Sequence, residues 1–240
     1  MLCVEVLDSE LSSLARQTIS RHAQVVATET IISSVSPLGF ELAFRYRNPA
    51  MILADGAIGQ MMEKVVLPPF KPRRTEEEIR KECPWATTGR FGGRKPNIIT
   101  SLELRSEEME IINLRIQEKY KKIEESEVRF EEYMLDDAEY AIVAFGSAAR
   151  IAKKSIEIAR SQGIKVGLLR PITLWPFPTK EVQKLGEKMK GILSLEINAG
   201  QMVEDIRLAV AGRVPVQHFG RLGGIIPDPD EVVDAIKRLF

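Results

Sequence analysis

Cysteine is scarce in this chain: Cys3 and Cys83 are the only two among 240 residues, and they form no CxxC. A cysteine-ligated iron–sulfur cluster takes about four thiolates, so this chain alone is expected to hold none. The pattern is that of a reduced, cytoplasmic protein, not of a disulfide framework. An excess of either charge is also missing, with Lys+Arg and Asp+Glu at 34 each, which argues against a nucleic-acid partner. No apolar run approaches the roughly 20 residues of a membrane span. No basic n-region leads into an apolar signal sequence. The two histidines, His22 and His218, stand apart from each other and from cysteine. No metal is assigned to them, and no Ser-His-Asp or HExxH arrangement is visible. GxGxxG, GxxxxGK[ST], internal repeats and low-complexity tracts are absent as well.

What is present is an α/β chain of apolar and charged content 44% and 28%, long enough for one large domain or two small ones. Residues 1–67 read as part of an α/β unit. Leu2, Val4 and Val6 alternate as in a strand, and Leu11, Leu14, Ala15 and Ile19 follow at helical spacing. Ser36 and Pro37 predict the cap and first position of a helix over 37–47. Ala50–Ala54 then reads as a buried strand ending at Asp55-Gly56. This region is too small to cover both faces of a sheet, so it is expected to lean on other protein. Residues 68–137 read as a connection with a glycine- and arginine-rich loop over 84–97, a basic cluster at Lys71, Arg73 and Arg74, and a helix from Ser106 whose apolar stripe is Met109, Ile112, Ile116, Tyr120 and Ile123.

Residues 138–240 are the clearest domain. Apolar runs at 141–145, 166–169, 192–197 and 216–219 alternate with helical patterns at 148–161, 179–190, 201–211 and 229–239. That alternation predicts a doubly wound parallel sheet, whose ligands bind outside the carboxyl ends of the strands. Four segments fall at that edge. Gly146-Ser147-Ala148-Ala149 opens a helix, suited either to tight packing or to an anion. Arg170-Pro171 ends a strand, because proline fixes φ and has no N–H to donate, and a stiff loop bearing Trp175 and Phe177 is expected after it. Arg170 suits a carboxylate, a phosphate or a structural ion pair. Trp175 and Phe177 suit packing or a subunit contact better than a cofactor box. Glu196, Asn198 and Gln201 cluster after the next strand, with Glu196 placed to pair with Arg170 or to act as an acid/base and Asn198 placed to cap a helix. Arg221 stands as a second cation among the glycines at 220–224.

Read together, these segments resemble the alpha-type subunit of 2-oxoacid:ferredoxin oxidoreductases, nearest to the 2-oxoisovalerate (3-methyl-2-oxobutanoate) branch. The resemblance is carried by Tyr46-Arg47-Asn48-Pro49-Ala50-Met51-Ile52-Leu53-Ala54-Asp55-Gly56 with Ile58-Gly59-Gln60-Met61-Met62-Glu63. It continues in Trp85-Ala86-Thr87-Thr88-Gly89, in Leu168 to Pro178, and in Gly200-Gln201-Met202-Val203-Glu204-Asp205. It covers roughly residues 36–240. It implies a partial thiamine-pyrimidine-type domain followed by one similar to the transketolase C-terminal domain. It implies oxidative decarboxylation of a 2-oxoacid to an acyl-CoA on thiamine diphosphate, with the carbanion chemistry supplied by the cofactor. The diphosphate and its Mg are implied mainly on a thiamine-binding beta-type subunit, the iron–sulfur clusters on other subunits or domains, and gamma/delta-type subunits, ferredoxin and coenzyme A as further partners.

Residues 1–35 do not look like the segment, about 100 residues by usual domain sizes, that carries the family's activating glutamate and substrate loop. No catalytic residue is therefore carried over. Arg170, Trp175, Phe177, Glu196, Asn198, Gln201, Arg221 and Asp55 are the ligand or subunit-contact candidates. The expectation is a subunit inactive without its partners; the alternatives are a non-enzymatic binding or assembly module and a gene remnant.

Overall fold

The computed structural model describes residues 2–6, 24–27, 32–54, 56, 62, 70, 72–86, 89–90, 93–100 and 102–238, with side chains from Pro37 onward. It forms two compact units, residues 1–66 with 120–240 and residues 67–119.

The larger unit holds two sheets. In the first, β1 (Leu2–Val6), β2 (Gln24–Ala27) and β3 (Ala50–Ala54) run parallel in the order β1-β3-β2. Strand β2 and helix α1 (Ile32–Tyr46) lead into β3 as a βαβ unit. α1 starts earlier than the Ser36 cap predicts and contains Pro37, which costs it one backbone hydrogen bond. Arg47, at φ 46°, ends it. Leu42 of α1 is buried, as are Ala50, Met51, Ile52 and Ala54 of β3. The helix expected over 11–19 lies outside the described residues.

The second sheet has the order β4-β6-β5-β8-β9. Its strands are β4 (Phe130–Tyr133), β5 (Tyr140–Ala144), β6 (Val166–Pro171), β8 (Gly191–Glu196) and β9 (Val216–Gly220). All are parallel except the edge strand β4, which lies within the stretch read as a connection. Side chains alternate between faces along a strand, and two separate cores result. Val143, Leu169 and Ile192 pack with Val182, Leu185, Ile206 and Val210 of α5 (Thr179–Lys188) and α6 (Met202–Val210). Ile142, Leu168, Leu193 and Leu195 pack with Ala152, Ile156, Val232 and Ile236 of α4 (Gly146–Ser161) and α7 (Pro229–Arg238). Each fully buried aliphatic side chain contributes about 1.5–3 kcal/mol. Helices on both faces make the sheet doubly wound, as the alternation of patterns predicts.

The segment around Pro171 departs from expectation. β6 runs through Pro171, and Thr173–Trp175 is not a loop but strand β7, antiparallel to β2 of the first sheet. Pairing of β6 with β5 ends at Leu169, whereas pairing with β4 continues to Pro171 opposite Phe130. A proline is admissible there because the parallel ladder no longer asks for its N–H. Ile172 alone separates the two strands. Its N–H and that of Thr173 donate to the Arg129 carbonyl at 2.9 and 3.1 Å. The Thr173 hydroxyl, 1% exposed, accepts from the Arg129 N–H at 2.9 Å. Just before it, the buried Glu127 carboxylate accepts from Arg45 at 3.0 Å, Tyr46 at 2.6 Å and Arg129 at 3.2 Å.

The smaller unit carries α2 (Glu76–Glu82) and the first part of α3 (Ser106–Ser126). α2 was not expected among the prolines. Its start is a capping box, with the Thr75 hydroxyl accepting from Glu78 N–H at 3.2 Å and Glu78 accepting from Thr75 N–H at 2.8 Å. Arg94 donates to the carbonyls of Gly89, Pro84 and Ala86 at 2.9, 2.9 and 2.8 Å.

Replacing Thr173 with Val keeps the shape of the buried side chain and removes the acceptor of the Arg129 N–H. The expected cost is on the order of 1–3 kcal/mol, read as a lower urea midpoint with an unchanged m-value. A midpoint equal to wild type would remove the hydroxyl from the account of the crossover.

Candidate functional site at the carboxyl edge of the second sheet

In the parallel part of this sheet, β6 lies on one side of β5 and β8 on the other. The strand order reverses between β5 and β8, which makes their carboxyl ends the crevice where such folds take ligands. The turn after β5 enters α4 through Gly146, at φ 58°. Phe145, the cap residue of α4, makes no side-chain capping bond.

The turn after β8 is built around Glu196. Ser194 and Glu196 are two apart in a strand and share a face. Glu196 is 1% exposed, and its carboxylate accepts from the Ser194 hydroxyl at 2.7 Å. It also accepts from the backbone N–H groups of Gln201, Met202 and Val203 at 3.0, 2.8 and 2.9 Å. Gln201, the cap residue of α6, makes no side-chain capping bond. A carboxylate reaching back from the strand therefore does the capping, favoured both by the orphan N–H groups and by the helix dipole. Asn198, which was placed to cap the helix, instead accepts from Gly200 N–H at 2.7 Å and shapes the turn.

His218 of β9 closes this turn from the side. A Cβ on Gly220 would lie 2.4 Å from the Asn198 carbonyl oxygen and 2.8 Å from the imidazole, and one on Gly200 would lie 3.2 Å from the same ring. Both positions require glycine for close approach, and Gly200 also for its φ of 100°. Among the described residues His218 Nε2 is buried without a hydrogen-bond partner.

The other candidates go elsewhere. No ion pair joins Glu196 to Arg170, because β5 separates their strands and two strand spacings are about 10 Å. Arg170 faces Glu131 across the β4–β6 ladder and donates to it at 2.6 Å, and Lys153 donates to the same carboxylate at 2.9 Å. The Arg170 side chain is 12% exposed. Arg221 lies 3.2 Å from Glu231 of α7. Trp175 meets the Tyr120 ring edge-on, with centroids 5.6 Å apart, and Phe177 packs against the core under α5 and α6. Asp55 lies outside the described residues. The sequence reading missed Glu131 and Ser194; Ser194 had a signal, as a polar residue two before Glu196 in an apolar strand.

The described residues do not fit thiamine diphosphate and its magnesium. They contain no group of three or more His, Cys, Asp or Glu that could hold a metal ion, and both edge arginines already face carboxylates. No step through that cofactor is assigned to this chain.

Residues 138–232 match the family described as pyruvate:ferredoxin oxidoreductase core domain II. The chain is 44% identical over 200 residues to ketoisovalerate oxidoreductase subunit VorB of Methanothermobacter marburgensis, covering 83% of this chain and 55% of that protein. It thus spans about half the length of the curated relatives it matches. The structure is similar, at TM-score 0.72 and 18% identity, to a 2-oxoglutarate:ferredoxin oxidoreductase from Magnetococcus marinus solved with 2-oxoglutarate, coenzyme A and succinyl-CoA bound, covering 99% of this chain and 48% of that one. It is also similar, at TM-score 0.54 and 11% identity, to a split-gene transketolase solved as an inactive beta4 tetramer, covering 99% of this chain and 65% of that one. At these identities the likeness is one of fold. The letter in the name VorB points to a beta subunit and does not support the expected alpha-type designation.

Partial burial pushes the Glu131 carboxyl up, but Lys153 and Arg170 outweigh this and hold it below the usual range. A carboxyl depressed by folding contributes stability that is full above its unfolded value and lost as pH falls through its folded value. Glu131→Gln is expected to destabilise at pH 7 by less than about 1 kcal/mol, since the carboxylate is 37% exposed. The gap between variant and wild type should narrow in urea melts at a pH below the ordinary carboxylate range. A gap that is the same at both pH values would exclude the ion pairs as its cause.

Proposed function

We propose that this chain is a subunit of a thiamine-diphosphate-dependent 2-oxoacid:ferredoxin oxidoreductase that converts a branched-chain 2-oxoacid, 3-methyl-2-oxobutanoate, to an acyl-CoA. The identity of 44% to a ketoisovalerate oxidoreductase subunit carries this reading. In it, residues 138–240 supply the domain similar to the transketolase C-terminal domain. The cofactor and its Mg are held by a thiamine-binding subunit, and the iron–sulfur clusters and ferredoxin docking by further subunits. The isolated chain is inactive, because Glu196, Arg170 and Arg221 are engaged in internal contacts and, among the described residues, no catalytic set is assembled around them. The complex works in the cytoplasm; no helix of the described residues is long and apolar enough to cross a membrane.

The test is co-expression of the tagged full chain with a thiamine-binding subunit and a cluster-bearing subunit of such a complex. The chain should retain both partners, and 3-methyl-2-oxobutanoate with coenzyme A should reduce ferredoxin only when all are present. A folded chain that retains neither partner, with equal activity in its absence, would defeat the proposal and leave a non-enzymatic module or a gene remnant.

A further inference from the structure

The glycine- and arginine-rich stretch of the smaller unit has no part in the proposed function. From Cys83 to Leu102 the sequence contains no Asp or Glu, while it contains Arg90, Arg94 and Lys95. Positive charge thus gathers on one short segment that holds no acid to offset it. Arg94 is half-buried and spends its guanidinium on the backbone carbonyls of Pro84, Ala86 and Gly89. Those oxygens satisfy its N–H groups and leave its charge whole, since guanidinium stays protonated. Arg90 and Lys95 are exposed, and among the described residues neither is held in an ion pair. The flanking acids are already engaged, Glu82 with Arg74 at 2.7 Å and Glu103 with Arg105 at 3.5 Å. Two bare aliphatic side chains follow Lys95, Ile98 being 87% and Ile99 73% exposed.

Cations without counter-charges draw an anionic partner. Exposed side chains do not enclose a small ion, so the partner is one that presents a surface of its own. Ile98 and Ile99 decide between an acidic protein and a nucleic acid. A protein surface mixes charge with apolar area and uses both, whereas a phosphate backbone is met by the cations alone. We propose that Arg90, Lys95, Ile98 and Ile99 form a docking surface for an acidic segment of another protein, one that carries apolar side chains among its carboxylates. The cations steer the encounter and fix its register, and the isoleucines add apolar area removed from water. The surface is small, so the contact is reversible and weakens as salt rises. It rests on this segment alone and not on the proposed function.

Fluorescence anisotropy of the full chain tests it with two labelled peptides, one of glutamate alone and one with leucines spaced among glutamates. The leucine-bearing peptide should bind more tightly, and both should lose affinity with salt. Arg90→Glu combined with Lys95→Glu should weaken both peptides by about tenfold or more, because like charges then meet. Lys121→Glu combined with Lys122→Glu makes the same change of net charge on exposed positions of α3, and should leave binding within about twofold of wild type. Ile98→Ser combined with Ile99→Ser should weaken only the leucine-bearing peptide. Thermal melts of all these variants should match wild type, as every position is exposed. A wild type that binds neither peptide at low salt, or equal losses from the two charge reversals, would overturn the docking surface. So would a single-stranded oligonucleotide bound more tightly than either peptide.

Discussion

The larger unit depends on a single residue of separation between two strands that belong to different sheets. β6 is the second strand of one sheet and β7 is the edge strand of the other, and only Ile172 lies between them. Such a switch leaves backbone groups that neither ladder can satisfy, and buried polar groups without partners are costly. The Arg129 carbonyl and N–H, with the Thr173 hydroxyl, answer that need. Two residues earlier, Glu127 ties down Arg45 and Tyr46 at the end of α1. Residues 127–129 thus fix both the crossover and the helix that leads into β3. Proline at 171 belongs to the same device, because it sits where one ladder has stopped asking for an N–H.

The candidate functional edge follows the same logic of internal satisfaction. A helix N-terminus facing a crevice is a natural place for an anion, and α6 has one, but Glu196 of the chain itself occupies it. Arg170 and Arg221, the cations at that edge, face Glu131 and Glu231. The cations and the helix N-terminus named here are thus met by the chain's own carboxylates. That agrees with the proposed reading of the chain as a subunit.

The parallel part of the second sheet was legible because its strands begin as short apolar runs and its helices have a regular stripe, so period and length agree. Candidate residues at its carboxyl edge were legible for the same reason: strand ends locate them. Their partners were not. That Arg170 meets Glu131 depends on β4, a strand whose sequence Phe-Glu-Glu-Tyr carries little apolar signal and whose pairing is set by the antiparallel ladder to β6. That Glu196 turns back onto α6 follows from a tight turn between strand and helix, which spacing alone does not distinguish from a side chain facing solvent. β7 was hidden because three prolines around it suggest a loop, while its strand character comes from a distant partner, β2. α2 was there to be read in Thr75 and Glu78, a capping box at the standard spacing.

At the centre stands the claim that this chain supports a thiamine-dependent complex without itself holding the diphosphate. Calorimetric titration of thiamine diphosphate and magnesium into the isolated full chain, and then into the assembled complex, tests it most directly. The prediction is no saturable heat with the chain alone and saturable binding with the complex. Saturable binding by the isolated chain, lost on Arg170→Ala or Arg221→Ala, would contradict it.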